Sequence, residues 1–516
     1  MTDRSNVIIS ALRLHIAATV SFLAAIPVLL TRIPPLTDVP GHIGRLSVQT
    51  APAGDGVLRY FTFHWAFTLN LACDLIVQLA RPVLGVVSTM WLLSAATPAL
   101  TVIGIFAIAR ATNARGAYAL PWSLLFVFSL PFLWGFLNYT LTSAWALIAF
   151  SVWLTLDHRR GLRAALFLLV IPLLLIGHGV AGIAGVTMIV GHVLGEHLVH
   201  RPFRRSLDTI RNLTVLWPIM FAAAITLATW KAVGSSEAGS TFWFLHRKPA
   251  SIIHLLQDQN MVFDIACILC CMLVFTAGWR WGAKLRSGPA GAVIAMIVLF
   301  VLAPGLLGGS DEIDMRVAPL IPMLAFAMQD WSSVRPDRRR IILLAGFVLL
   351  GARFGITTAS FIRYDQRYQR ELSALDHVPR GARILNLSQV ECDSWRSERL
   401  EHISNLATTF RGAWVNSHWS LSGIHLLEVK YKPSATYYND PSQIIFPDSC
   451  AYPIVKPYAN YRRAQSIRQA IGTLPLNAVD YLWIVNSKLP AGYHNDRLRR
   501  VWATDQSELY RIMHRS

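Results

Sequence analysis

Charged residues are scarce in this 516-residue chain, at 15% against 54% hydrophobic residues, and the mean hydropathy is +0.43. So little charge cannot cover a soluble fold of this size, and the apolar runs that recur along most of the chain indicate a polytopic membrane protein. Chemical signatures are missing too. The sequence holds no Walker phosphate loop, no zinc-ligand spacing and no nucleophile elbow, which argues against ATP-driven pumps and the common hydrolases. No small-x-small cleavage site follows the first apolar stretch, which is too long for a signal-peptide core, so it reads as an uncleaved span behind Arg4 and Arg13. Cysteine is sparse as well, with six in all. Cys73, Cys267, Cys270 and Cys271 lie in apolar stretches, where cysteine acts as a small hydrophobe. Cys392 and Cys450 remain in the polar C-terminal part and can pair only in an oxidising compartment.

The formal charge of +18 would suggest a nucleic-acid partner in a soluble protein, but here the arginines gather in short runs between apolar segments. Topology under the positive-inside rule explains that pattern, and no nucleic-acid partner is expected. Spans at roughly 12–31, 87–109, 118–134, 138–156, 162–177, 180–198, 212–232, 263–280, 288–307, 316–330 and 340–359 give a bundle of about eleven helices. With the N-terminus inside, the loops Arg110 to Arg115, Asp157 to Arg163, His200 to Arg211, Arg280 to Arg286 and Arg335 to Arg340 are all cytoplasmic and all basic. The other side receives the first outer loop 32–86 and everything beyond Phe361. That arrangement predicts a multi-pass membrane protein with its C-terminal part on the outer, oxidising side.

The count depends on residues 66–85 not crossing the membrane. Asn70, Asp74, Gln78 and Arg81 recur at helical spacing on one stripe, with Leu69, Leu71, Leu75, Ile76 and Leu79 on the other faces, which suits a helix lying along the interface. A tilted span with that stripe turned into the bundle is the alternative. The fold expected is therefore mainly α: a transmembrane domain over 1–360 and a small extracytoplasmic α/β domain over 361–516. Within the latter, 382–387, 481–485 and 508–512 read as strands and 466–471 as helix. The stretch Gly412 to Cys450 is rich in Trp, His and Tyr, able either to stack on sugar rings or to anchor at the bilayer surface.

Chemistry concentrates behind the first span, in Pro34-Pro35-Leu36-Thr37-Asp38-Val39-Pro40-Gly41-His42-Ile43-Gly44-Arg45. The prolines stop the span and turn the chain at the membrane surface. A carboxylate there suits proton abstraction from an acceptor hydroxyl, and Asp38 is the candidate base. His42 and Arg45 follow on one helical face, placed to reach a phosphate. The structural alternative is that Asp38 only N-caps a short helix.

Further candidates lie in the outer segments. Asp311, Glu312 and Asp314 can hold a divalent cation such as Mg or Mn, with Arg316 on a phosphate, or can form a solvated hairpin. Asn138 in the Phe132–Tyr139 turn serves structure or substrate, and His178 between Gly177 and Gly179 is a ligand contact or a packed neutral imidazole. His246, Arg247 and Lys248 break the inside-only pattern of basic charge and suit an anionic membrane lipid headgroup or simple interfacial binding.

Leu36–Arg45, Trp65, Asn70-Leu71-Ala72-Cys73-Asp74 and Phe132–Tyr139, set within many spans and an outer C-terminal domain, resemble a bacterial branch of the GT-C superfamily of integral membrane glycosyltransferases. The resemblance implies inverting transfer of a sugar from a polyprenyl-phosphate carrier to a glycan, lipid or protein acceptor outside the membrane, with Asp38 as general base. Relatives often carry two adjacent acids in this loop, whereas Asp38 stands alone, which leaves metal dependence open. Two rivals remain. An O-antigen-type polymerase or ligase would place its essential Arg and His in a late outer loop. A lipid-linked-glycan transporter or flippase would show internal repeats and broken helices.

Overall fold

In a computed structural model of the protein, residues 2–112, 117–200, 214–234, 241–307, 310–391, 395–420, 425–450 and 465–514 are described. The chain is mainly helical. Six helices are long and apolar enough to cross a membrane: Ala72–Thr112, Leu137–Thr155, Arg160–Gly177, Gly179–His197, Met261–Arg280 and Pro336–His377. Leu14–Leu29, Leu120–Leu133, Trp217–Thr229 and Ser287–Leu302 are shorter apolar helices, so the eleven spans expected are not matched one for one.

Proline breaks two of the expected spans. Where 118–134 was expected to be one span, Pro121 and Pro131 each start a separate short helix, Leu120–Leu124 and Leu130–Leu133, joined by a 3-10 turn. The expected span 316–330 likewise splits into Ile313–Val317 and Leu320–Met328 around Pro319. Of the basic loops, 113–116 and 201–211 lie outside the described residues.

The amphipathic segment expected at 66–85 begins its helix at Ala72. It runs on toward Thr112 except for a break at Gly85, whose φ of 73° suits glycine, so the stripe-bearing half is set off from the apolar half. Glycines also let helices close up. A Cβ at Gly195 would fall 2.2 Å from the Ser287 carbonyl, so helix Gly179–His200 can lie against Ser287–Leu302 only without one.

The strands are β1 (Phe61–Phe63), β2 (Leu306–Leu307), β3 (Ser310–Asp311), β4 (Arg383–Gln389), β5 (Trp414–Val415), β6 (Leu427–Val429), β7 (Ile444–Ile445), β8 (Tyr481–Val485), β9 (Leu498–Ala503) and β10 (Glu508–Ile512). Six of them form one sheet in the order β5-β4-β8-β10-β9, with β7 also on β4. The central pair β4 and β8 is parallel, from Ile384 opposite Tyr481 to Ser388 opposite Val485. The all-apolar sequence of β8 fits burial on both faces, while β4 also buries Asn386 and Ser388.

The expected boundary at 361 is not where a helix ends. Helix Pro336–Leu372 runs unbroken from the bundle to the sheet, because a change from apolar to charged residues does not stop a helix and no breaker intervenes. The first loop also reaches this sheet region, since β1 pairs antiparallel with β6, Phe61 opposite Val429.

Candidate active site where the first loop meets the C-terminal segment

Asp38 directly precedes helix Val39–Gln49, whose second residue is Pro40, at a position where no N–H is needed. Its backbone N–H donates to the Trp134 carbonyl at 2.9 Å. The same turn holds Gly135 at φ +87°, where a Cβ would stand 2.8 Å from the Asp38 nitrogen. The Phe132–Tyr139 motif therefore seats Asp38 by close backbone approach.

The carboxylate of Asp38 makes no capping hydrogen bond, although it occupies the cap position. It faces His402 instead, with Oδ1 3.7 Å from Nε2. Glu401 Oε1 lies 3.5 Å from the same nitrogen, and Asp440 Oδ1 lies 4.0 Å from Nδ1. Burial raises the Asp38 carboxyl to about 7; the negative charges of Glu401 and Asp440 add to this, while His402 and Arg316 oppose it. For His402 burial works downward, but Glu401, Asp440, Asp38 and a bond to the Ser417 backbone outweigh it and hold the imidazole above its ordinary value. Trp419, partly exposed, lies over this group with its ring 4.7 Å from His402 and 5.2 Å from His42.

Arg316 is fixed from three sides. Its Nη1 lies 3.2 Å from His178 Nε2, its Nη2 donates to the Asp311 carbonyl at 3.0 Å, and its guanidinium sits 4.1 Å from the centre of the Phe136 ring. Its Nε has no hydrogen-bond partner, and the side chain lines a cavity with Ser129, Tyr139, Thr140 and Ser143. His178 is buried against Arg316.

Among the other sequence candidates, Arg45, Asn138 and Lys248 are occupied by structural contacts. Arg45 is buried in a two-pronged ion pair with Asp74, Nη2 to Oδ2 at 3.1 Å, so its charge is already matched. His42 is half-buried, and burial followed by the nearby Arg45 lowers it to about 3, so its imidazole is neutral and offers a phosphate no charge. Asn138 accepts from the Cys73 N–H at 2.6 Å and donates to the Asn70 carbonyl at 3.0 Å, tying the start of helix Ala72–Thr112 to the turn. Lys248 is buried against Asp314 at 2.9 Å and the carbonyls of Phe300 and Ala303. His246 and Arg247 are exposed beside Phe244.

Among the described residues, Asp311, Glu312 and Asp314 do not fall within a group of three ligand-type side chains. Asp314 is taken by Lys248 and the Met315 N–H, Asp311 accepts from the Glu312 N–H, and Glu312 sits in the left-handed region at φ 56°. Among the described residues, side chains of ligand type converge in one place, at Glu401, His402 and Asp440, where the buried imidazole can itself supply positive charge. Cys450 is disulfide-bonded; Cys392 lies outside the described residues, and Cys73, Cys267, Cys270 and Cys271 are free.

His402, Glu401 and Asp440 were not singled out in the sequence. Asp440 and Trp419 fall within the aromatic stretch Gly412 to Cys450, which gave the region but not the residues. No sequence spacing links His402 to Asp38, because the two meet only through the fold.

No family model and no curated protein matches this chain. Among solved structures it is similar to ArnT from Cupriavidus metallidurans in the apo state, at 11% identity over 97% of both chains with a TM-score of 0.47. It is also similar to the same protein bound to undecaprenyl phosphate, at 11% identity over 97% of both chains with a TM-score of 0.46. A third likeness is to the arabinofuranosyltransferase AftD from Mycobacteria, at 15% identity over 97% of this chain and 40% of that one, with a TM-score of 0.45.

Proposed function

We propose that the protein is an inverting glycosyltransferase that moves a sugar from a polyprenyl-phosphate carrier to a hydroxyl of a glycan, lipid or protein at the periplasmic face of the bacterial inner membrane. The observation that carries this reading is Asp38: a carboxylate at the end of the helical bundle, free of its capping role, raised to about 7 by burial and within the field of Arg316. A half-buried carboxyl with a pKa near neutrality accepts a proton more readily than an ordinary aspartate, yet still ionises at working pH.

In the reaction Asp38 takes the proton of the acceptor hydroxyl as that oxygen attacks the anomeric carbon from the face opposite the phosphate. The bond from carbon to phosphate oxygen breaks, and its electron pair leaves on the phosphate. Arg316, held by His178 and the Asp311 carbonyl, is oriented to receive that developing charge. Trp419 offers an aromatic face to a sugar ring beside the base. The same acid and cation have no evident use in a flippase.

Replacement Asp38→Asn keeps the shape and removes the base. Transfer from a panel of polyprenyl-phosphate-linked sugars should fall by about two to four orders of magnitude, with unchanged thermal unfolding. Wild-type turnover in that variant would remove the assignment.

A further inference from the structure

Lys248 begins the short helix Lys248–Ile253 and is only 7% exposed, so its ammonium is almost wholly out of water. Its Nζ has three N–H donors and meets three acceptors: the Phe300 carbonyl at 2.7 Å, the Ala303 carbonyl at 2.8 Å and Asp314 Oδ2 at 2.9 Å. Phe300 lies in the last turn of helix Ser287–Leu302, and the residue four further on, Pro304, carries no N–H to satisfy its carbonyl, so Lys248 supplies the missing donor. Ala303 precedes strand β2 and Asp314 follows strand β3, so one ammonium ties together the two ends of the β2–β3 hairpin. We infer that Lys248 is a positioning residue for Arg316, holding the hairpin and the helical turn behind it so that the guanidinium stays aimed at the leaving phosphate. The inference rests on the reading of Arg316 as the cation that receives that charge.

The link from Lys248 to Arg316 runs through two short paths. Asp314 uses its other oxygen, Oδ1, to accept the Met315 N–H at 2.9 Å, so the same carboxylate fixes the start of helix Ile313–Val317, in which Arg316 follows two residues later. Within the hairpin Leu306 pairs with Asp311, whose carbonyl accepts from Arg316 Nη2 at 3.0 Å. Lys248 therefore bears both on the backbone that carries Arg316 and on the carbonyl that orients it. The segment ahead of Lys248 closes on the hairpin as well: the Phe242 N–H donates to the Leu306 carbonyl at 3.1 Å, and the Gly305 N–H donates to the Phe242 carbonyl at 3.0 Å. A buried ammonium gives up its hydration, and only a full set of acceptors of this kind offsets that loss. Arg316 itself is held at Nη1 and Nη2 while its Nε has no hydrogen-bond partner, which leaves a donor for a phosphate oxygen.

Undecaprenyl phosphate titrated into the full chain in detergent tests this by its dissociation constant. Arg316→Gln should weaken binding by about ten- to hundredfold, as the loss of a charge-assisted contact does. Lys248→Met keeps the aliphatic stem and removes the donors; it should weaken binding by about tenfold alone and by less than about twofold when added to Arg316→Gln, because both act through one contact. A residue that only supports the fold would give the same loss in either background. Unchanged binding in Lys248→Met, or losses that multiply in the double variant, overturn the inference and leave the role of Arg316 standing. Should Lys248→Met fail to fold, Asp314→Asn, which keeps the shape and removes the ion pair, takes its place, and unchanged binding or multiplied losses there overturn the inference equally. An Arg316→Gln variant that binds and transfers like the wild type would instead sink the phosphate role proposed for Arg316, and the positioning role with it.

Discussion

At the scale of single residues, the decisive fact is that Asp38 occupies a capping position without capping. Its carboxyl, raised to about 7 chiefly by burial, must be ionised to accept a proton. The sign follows directly. Activity is present above that value and is lost as pH falls through it, so kcat/KM should decline about tenfold per pH unit below about 7. A transfer assay across pH 5 to 9 checks this; a rate already flat at pH 5 would contradict it. Asp38 and Arg316 were legible in the sequence because each is an ionisable group set against an apolar run. His402 was not, since its significance lies in carboxylates brought to it from distant parts of the chain. Arg45 and Lys248 were legible as charges, but their partners Asp74 and Asp314 were not.

At the scale of elements, helix Val39–Gln49 is the wedge between bundle and C-terminal segment. A Cβ at Gly44 would meet the Asn405 carbonyl at 2.6 Å, and backbone cannot step aside easily. Gly44→Ala should therefore destabilise by about 1–3 kcal/mol. Gly56→Ala, with nothing within 4 Å of its Cβ, should stay within about 0.5 kcal/mol. Thermal or denaturant unfolding in detergent compares the two. Strands β4, β8 and β10 were readable as short segments carrying Ile, Leu, Tyr or Val between turn residues; β8 and β10 fall at the expected positions and β4 overlaps its own. β5, β6 and β7 are two or three residues long and leave no period to detect. The broken helices were misread as spans because mean hydropathy over a window is blind to Pro121, Pro131 and Pro319.

At the scale of the whole molecule, the site sits at one end of helix Leu137–Thr155, and the exposed basic turn at Asp157 to Arg160 sits at the other. If the charge pattern sets topology, these ends face opposite compartments. Cysteines introduced as Ala53→Cys, in the exposed part of the first loop, and His158→Cys should differ accordingly. An impermeant maleimide should label the first in intact spheroplasts and the second only after lysis. Equal labelling of both would overturn the topology and with it the periplasmic site.

Helix Pro336–Leu372 spans 37 residues, or about 55 Å at 1.5 Å per residue, well beyond the roughly 30 Å of bilayer hydrocarbon. Its far end accepts the Arg32 N–H on Asp365 at 2.8 Å and reaches Asn486 through Arg367 at 2.7 Å. Such a mast fixes azimuth as well as height. One residue inserted midway would swing everything mounted on its tip by about 100°, parting imidazole from carboxylate, so tolerance of insertions there should follow rotational phase before it follows length.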